Sequence, residues 1–189
     1  FIIMNQKLVL VLGGDRSGKS QFAVAMAARV SSWVLFVATA EPGDEEMRQR
    51  IQVHKRSRPA HWHTLEVPTG IGLRIAKEIK NEEVVIIDCL GLLVSNLLGK
   101  ATDLAQPDKI DDAKAQMLVD GETEQLLKAV SQIHTSFIIV SNEVGLGLVP
   151  DNRLGRIYRD LLGGVNQKVA AIADEVHFLV AGIPWKLKG

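Results

Sequence analysis

Apolar residues fall along this chain in short continuous runs, separated by longer segments where they recur at helical spacing. Leu8-Val9-Leu10-Val11-Leu12, the run from Trp33 to Ala38, Val84-Val85-Ile86-Ile87-Asp88, Phe137-Ile138-Ile139-Val140 and the run from Val176 to Ala181 predict strands buried on both faces. Trp62 to Val67 predicts a further strand ending at Pro68, and Ile183 to Leu187 a short antiparallel edge after Gly182. Between these runs, Gln21 to Ala28 is rich in helix formers, and Ile71, Ile75 and Ile79 define one helical face. Met47 and Ile51 are four apart in a predicted helix from Glu45 to His54, with Asp44 as its cap. Further helices are predicted from Leu90 to Leu98, from Ile110 to His134 with Gly121 as a candidate break, and from Arg153 to Ala173. The last has Asp151 or Asn152 as cap and a weak point at Gly163-Gly164. Gly99 to Lys109 is polar and predicts a loop. Strands alternating with helices predict an α/β architecture: a mainly parallel sheet covered by helices on both faces. No repeat or linker interrupts it, so one domain is expected over residues 1–189, with residues 1–6 outside the core.

Charge and cysteine content narrow the setting. Lys plus Arg and Asp plus Glu each number 22, giving zero net charge. A general nucleic-acid binder carries a basic excess, so no nucleic-acid partner is expected. The single cysteine, Cys89, excludes an internal disulfide and fits a reducing compartment. No apolar run has membrane-spanning length, and Phe1 to Met4 lack the charged start and long apolar core of a signal peptide. The expected location is the cytoplasm.

The candidate chemistry begins where the first strand ends. Gly13-Gly14-Asp15-Arg16-Ser17-Gly18-Lys19-Ser20 fits the P-loop pattern G-x-x-x-x-G-K-[ST], between an apolar strand and a helix start. Glycines let backbone N–H groups close around phosphate oxygens, and a helix N-terminus adds partial positive charge. Lys19 is placed to reach β- and γ-phosphates, and Ser20 to ligate Mg²⁺. In a parallel sheet the C-terminal strand ends face the ligand crevice, so Thr39, Ala40 and Glu41, and the segment from Ser141 to Gly145, should border a nucleotide. Asp88, an acid ending a β-branched strand, suits a role in holding Mg²⁺; it equally suits an N-cap for the following helix. Five Arg or Lys residues and His54 lie between Arg48 and Arg58, either as a solvated face or as a triphosphate clamp. Cys89 reads as a packing residue, and His61, His63, His134 and His177 show no metal-ligand spacing. A P-loop alone leaves open a kinase, a nucleotidyltransferase, a GTP-dependent switch and a motor; no N-K-x-D guanine motif supports the switch.

Longer motifs are more specific. The P-loop, Ala38-Thr39-Ala40, Asp44-Glu45-Glu46-Met47, and the block from Arg50 through His54-Lys55-Arg56-Ser57-Arg58-Pro59 to Trp62 occur in register. So do Asn96-Leu97-Leu98, Ser141 to Pro150 and Asn166-Gln167. Together they resemble the bifunctional adenosylcobinamide kinase/adenosylcobinamide-phosphate guanylyltransferase family over nearly the whole chain from Leu8. The resemblance implies a P-loop NTPase with a RecA-like sheet. It also implies two reactions: phosphorylation of adenosylcobinamide by ATP or GTP, then transfer of GMP from GTP to adenosylcobinamide phosphate through a guanylyl-histidine. The family histidine falls on His54. Many members have a second histidine immediately before it, where this chain has Val53. The family's guanine-nucleotide contacts fall on Gly13, Gly14, Asp15, Arg16, Ser17, Gly18, Lys19, Ser20, Thr39, Ala40, Glu41, Lys55, Arg56, Ser57, Arg58, Glu66 and Asp88. Glu66 has a guanine or ribose contact as its implied role and an edge-strand carboxylate as its plain alternative. The acid at Asp88 is often Glu in the family. A homotrimer is likewise implied. Another small-molecule P-loop kinase, or a GTP-binding switch without transfer chemistry, are the alternatives that protein-bound α-phosphate label would separate.

Overall fold

The computed structural model describes residues 6–41, 43, 45, 48, 49, 55, 58–103 and 106–189. The predicted helix from Glu45 to His54, its cap Asp44, and the site candidates His54, Arg56 and Ser57 therefore lie outside the described residues in whole or in part. In chain order the elements are β1 (Leu8–Gly13), α1 (Lys19–Val30), β2 (Val34–Ala38), β3 (His63–Glu66), α2 (Ile71–Glu78), β4 (Val84–Asp88) and α3 (Leu90–Ala101). They continue as β5 (Thr102–Asp103), β6 (Gln106–Ile110), α4 (Asp112–Gln132), β7 (Ser136–Asn142), α5 (Arg153–Ile172), β8 (Glu175–Val180) and β9 (Ile183–Lys188).

Seven strands form one sheet in the order β3-β2-β4-β7-β1-β8-β9. Every pairing is parallel except the last, where β9 returns antiparallel on β8. The two-residue strand period splits the apolar runs between two faces. Leu8 and Leu10 of β1 join Leu35, Val85, Ile87 and Ile139 in one core, packed by α2 to α5. Val9 and Val11 join Phe36, Ile86, Ile138 and Val140 in the other, closed by Ala23 and Ala27 of α1 and by Trp62. Helices thus cover both faces, and the strand ends carrying the candidate site residues converge on the edge where β1 turns into α1.

Several local expectations change. The stretch from Gly99 to Lys109 is not a plain loop: α3 runs to Ala101, and β5 pairs antiparallel with β6. Ile110 closes that hairpin as a buried residue, and α4 begins two residues later with the Asp111 carboxylate accepting from the Lys114 N–H at 3.0 Å. Gly121 does not break α4, and Gly163-Gly164 does not break α5. A helical glycine costs only about 1 kcal/mol, which the buried face of α4 (Ala115, Val119, Leu126, Ala129) outweighs. Asn152 caps α5 as expected, accepting from the Gly155 N–H at 2.7 Å. Asp88 is not the cap of α3: that position falls to Cys89, whose side chain makes no capping bond.

One cap comes from far away in sequence. Helix α2 begins after Gly70 with no capping side chain of its own. The carboxylate of Glu122, buried on α4, instead accepts from the N–H groups of Gly70 (2.7 Å) and Ile71 (2.8 Å). These first-turn donors need an acceptor, and an anion there also complements the helix dipole.

The opposite edge of the sheet from the strand ends carries a charge hub. Glu175 accepts from Lys7 (2.7 Å) and lies 3.3 Å from the Lys186 ammonium and 3.2 Å from His177 Nε2. The Lys7 bond, followed by those from His177 and Lys186, pulls the Glu175 carboxyl down to about 2. A carboxylate depressed on folding stabilises the protein above its unfolded pKa and loses that contribution as pH falls through the folded one. Between pH 4.5 and 2 the thermal midpoint of Glu175→Gln should therefore decline less steeply than that of the unsubstituted protein. Parallel melting curves across that window test this; identical slopes would remove Glu175 as a source of acid sensitivity.

Candidate active site

The P-loop connects β1, buried at the sheet centre, to α1. Gly13 sits beneath the turn with φ +155°, where a Cβ would stand 2.6 Å from the Leu179 carbonyl oxygen and 2.7 Å from Ser17 Oγ. Gly18 adopts φ +92° and leads into α1 with no capping side chain, which leaves the first-turn N–H groups available to an anion. Lys19 is only 7% exposed, and its Nζ donates to the Gly14 carbonyl. Burial lowers the Lys19 pKa, opposed by the charges of Asp15 and Asp88.

A cavity of about 540 Å³ opens above this loop. Asp15 to Gln21 form its floor, and the ends of β2 (Ala38, Ala40), β3 (Glu66), β4 (Asp88, Cys89) and β7 (Val140, Asn142) form one wall, with Lys55 and Arg58 also present. Lys55 pairs with Glu66. The Arg58 guanidinium lies 3.7 Å from the centre of the Phe36 ring, a cation–π stack that anchors it from below. Its pKa is lowered by burial and held up by Asp88 and Glu66; arginine stays charged throughout. Its Nε and Nη1 find no hydrogen-bond partner among the described residues. Unused donors on a fixed cation beside a phosphate cradle suit an anionic ligand.

The cavity therefore brings together Asp15, Arg16, Ser17, Gly18, Lys19, Ser20, Ala40, Lys55, Arg58, Glu66 and Asp88 from the sequence-based set. Gly14 faces a second cavity on the other flank of the loop, about 520 Å³ in volume. Thr39 plays a different part from the one expected. It is fully buried; its Oγ1 donates to the Cys89 carbonyl and accepts from the Cys89 N–H, each at 2.8 Å, tying β2 to β4. Glu41 is exposed and absent from the cavity wall. Cys89 is buried, and burial with the adjacent Asp88 pushes its thiol up to about 12, which removes it as a nucleophile. His63, His134 and His177 bond to Glu82, Gln6 and Glu175 respectively.

Asn142 is the wall residue that motif reading passed over as an individual. It pairs in register with Gly13, and its carbonyl accepts from Asn166 Nδ2 at 3.0 Å while Ser141 Oγ donates to Asn166 Oδ1 at 2.6 Å. Asn96 similarly donates to the carbonyls of Thr39 and Pro68, bracing the ends of β2 and β3. The signal was present as a polar residue ending an apolar strand; only the neighbouring strand order shows that it faces the phosphate loop.

The chain is similar in sequence to known proteins. The chain is 40% identical to the bifunctional adenosylcobalamin biosynthesis protein CobU of Salmonella typhimurium, over 96% of this chain and 99% of that one. It is 41% identical to the bifunctional adenosylcobalamin biosynthesis protein CobP of Pseudomonas aeruginosa, over 95% and 96% of the two chains. Among solved structures, an ATPase domain superposes with a TM-score of 0.51 at 16% identity, covering 93% of this chain and 69% of that one, which bears on the fold alone. Residues 9–187 match the family described as cobinamide kinase / cobinamide phosphate guanyltransferase, and with this near-complete match and the two relatives, the chain belongs to that family.

Proposed function

We propose that this chain phosphorylates adenosylcobinamide with ATP or GTP and then transfers GMP from GTP to the product, giving adenosylcobinamide-GDP and pyrophosphate. The observation that carries this reading is the buried Lys19 ammonium at the base of a cavity that also holds Arg58, Lys55 and Asp88. Both reactions displace a phosphate-bearing leaving group, and neither proceeds without cations that neutralise charge as it develops.

In nucleotidyl transfer an imidazole nitrogen of His54 forms a bond to the α-phosphorus, the bond to the bridging oxygen breaks, and pyrophosphate leaves into the loop. A phosphate oxygen of adenosylcobinamide phosphate then attacks the same phosphorus and displaces the histidine. Dividing one difficult substitution in two is the gain from a covalent route. Lys19 and the first-turn N–H groups of α1 hold the departing phosphates. Arg58 and Lys55 serve the phosphorus under attack, where the family resemblance adds Arg56 and Ser57, and Glu66 takes a guanine or ribose group. Phosphoryl transfer needs the same cationic loop but no covalent group, so His54 serves nucleotidyl transfer alone.

Ser20 and Asp88 offer a hydroxyl and one carboxylate, hard oxygen donors that fit Mg²⁺. Among the described residues no group of three or more His, Cys, Asp or Glu side chains can hold a metal alone. This fits an ion that takes most of its ligands from substrate phosphates and water. When bound, Mg²⁺ supplies charge neutralisation at the β- and γ-oxygens. No helix among the described residues is long and apolar enough to cross a membrane; the family resemblance adds a cytoplasmic homotrimer to the proposal.

The test is incubation with GTP labelled at the α- or the γ-phosphate, followed by denaturation. Only α-label should remain on the protein, sensitive to acid and stable to base. His54→Ala should lose that label while still phosphorylating adenosylcobinamide. Loss of both activities in a folded His54→Ala protein would refute the division of labour.

A further inference from the structure

The phosphate loop is a ridge with a cavity on each flank, and Asp15, Arg16 and Ser17 belong to both. One flank carries the cations and acids described above. The other, about 520 Å³, is walled by Leu146, Phe178 and Val180. We propose that this second cavity holds the nucleoside of the phosphoryl donor in the kinase reaction. The two reactions would then seat their nucleotides in opposite directions across one phosphate cradle. The inference rests on the bifunctional reading above.

A reversal of this kind follows when one set of cations faces the phosphorus under attack in both reactions. In nucleotidyl transfer pyrophosphate is the leaving group, so the β- and γ-phosphates occupy the loop and the nucleoside lies beyond the α-phosphorus, on the side of Arg58, Lys55 and Glu66. In phosphoryl transfer the acceptor hydroxyl forms a bond to the γ-phosphorus, the bond to the β-phosphate oxygen breaks, the nucleoside diphosphate leaves, and the hydroxyl proton passes to solvent. If the same cations are to face the phosphorus under attack, it is now the γ-phosphate that stands at Arg58. The α- and β-phosphates then run back along the loop, and the nucleoside emerges on the opposite flank.

That flank is built to receive it. The β8–β9 turn is fixed to the loop: the Gly182 N–H donates to the Ser17 carbonyl at 2.9 Å, and a Cβ on Gly18 would stand 3.2 Å from the Gly182 Cα. The facing segment is pinned as well. Glu143 accepts from the N–H groups of Gly145 (2.7 Å) and Leu146 (3.1 Å), and the Arg159 guanidinium donates to the carbonyls of Gly145 and Gly147. Leu146 is nonetheless 80% exposed, an apolar side chain held at the cavity mouth. Apolar walls with a few fixed polar groups suit a base and ribose.

The test uses Leu146→Trp, which fills the mouth from an exposed position outside the proposed catalytic set. Binding of the non-hydrolysable β,γ-imido analogue of ATP is measured by calorimetry on the full chain, and protein-bound label from α-labelled GTP is measured in parallel. Affinity for the analogue should fall about tenfold or more, with labelling unchanged. Equal analogue affinity in the two proteins, a parallel fall in labelling, or no analogue binding by the unsubstituted protein would each overturn the proposal. So would a raised KM for adenosylcobinamide with analogue affinity intact, since the cavity would then serve the acceptor. The analogue is read without turnover, so a protein lacking corrinoid phosphorylation would fail the bifunctional reading separately.

Discussion

Lys19→Ala should lower phosphorylation of adenosylcobinamide and guanylylation of the protein by GTP together, each by about a hundredfold or more at saturating nucleotide. The expectation follows from burial. A lysine 7% exposed, held by the Gly14 carbonyl, is a fixed charge that needs no reorganisation when negative charge builds on the phosphates. The same burial makes the ammonium costly to keep, as its lowered pKa records, so alanine should leave the thermal midpoint unchanged or slightly raised. Single-turnover rates with each labelled nucleotide, alongside a melting curve, check this. A variant that keeps either reaction near its original rate would show that the two do not share a phosphate cradle.

Gly72→Ala should be the most damaging small substitution for stability. Gly72 sits in the first turn of α2 where that helix crosses α4, and an added Cβ would lie 2.5 Å from the Gln125 carbonyl oxygen and 2.8 Å from its carbon. These are backbone atoms of a long helix and cannot rotate away. The helices must separate, and Glu122 then loses its short bonds to Gly70 and Ile71. Overpacking of this kind costs about 3 kcal/mol. In a chain of this length that corresponds to a fall of about 6–12 °C in the thermal midpoint. Gly121→Ala is the internal control, because nothing lies within 4 Å of the added Cβ and the substitution should stabilise α4 slightly. Similar midpoints for the two alanine variants would discard the close-crossing argument.

Those two glycines show what the chain discloses and what it conceals. Gly121 looks like a helix breaker and is harmless, whereas Gly72 looks ordinary in Ile71-Gly72-Leu73 and is pressed against another helix. Composition carries no information about which backbone approaches which. The buried strands were legible because continuous β-branched and aliphatic runs have few other uses, and β2, β4 and β7 lie where those runs stand. The β5–β6 hairpin was not: its strands are short, polar and without alternation. Within the site, the P-loop announced itself, and Lys55, Arg58, Glu66 and Asp88 followed from motif resemblance to the same cavity. Thr39 did not follow, because a hydroxyl at a strand end can face a ligand or a neighbouring peptide with equal ease. Here it takes the peptide of Cys89. Asn142 and the second cavity depend on strand order, which no local pattern encodes.

Strand order also governs the birth of the molecule. The strand that leads into the phosphate loop is synthesised well before its partners on both sides, β7 and β8, which are residues 136–142 and 175–180. Until most of the chain has been made, β1 has two bare edges and two apolar faces. Pairings this distant in sequence form slowly, and unpaired strand edges invite association with other chains. A ribosome-bound fragment ending before Ser136 would thus hold the whole nucleotide motif with neither of the strands that pair with β1. Segments that emerge later decide whether this earlier one becomes a site.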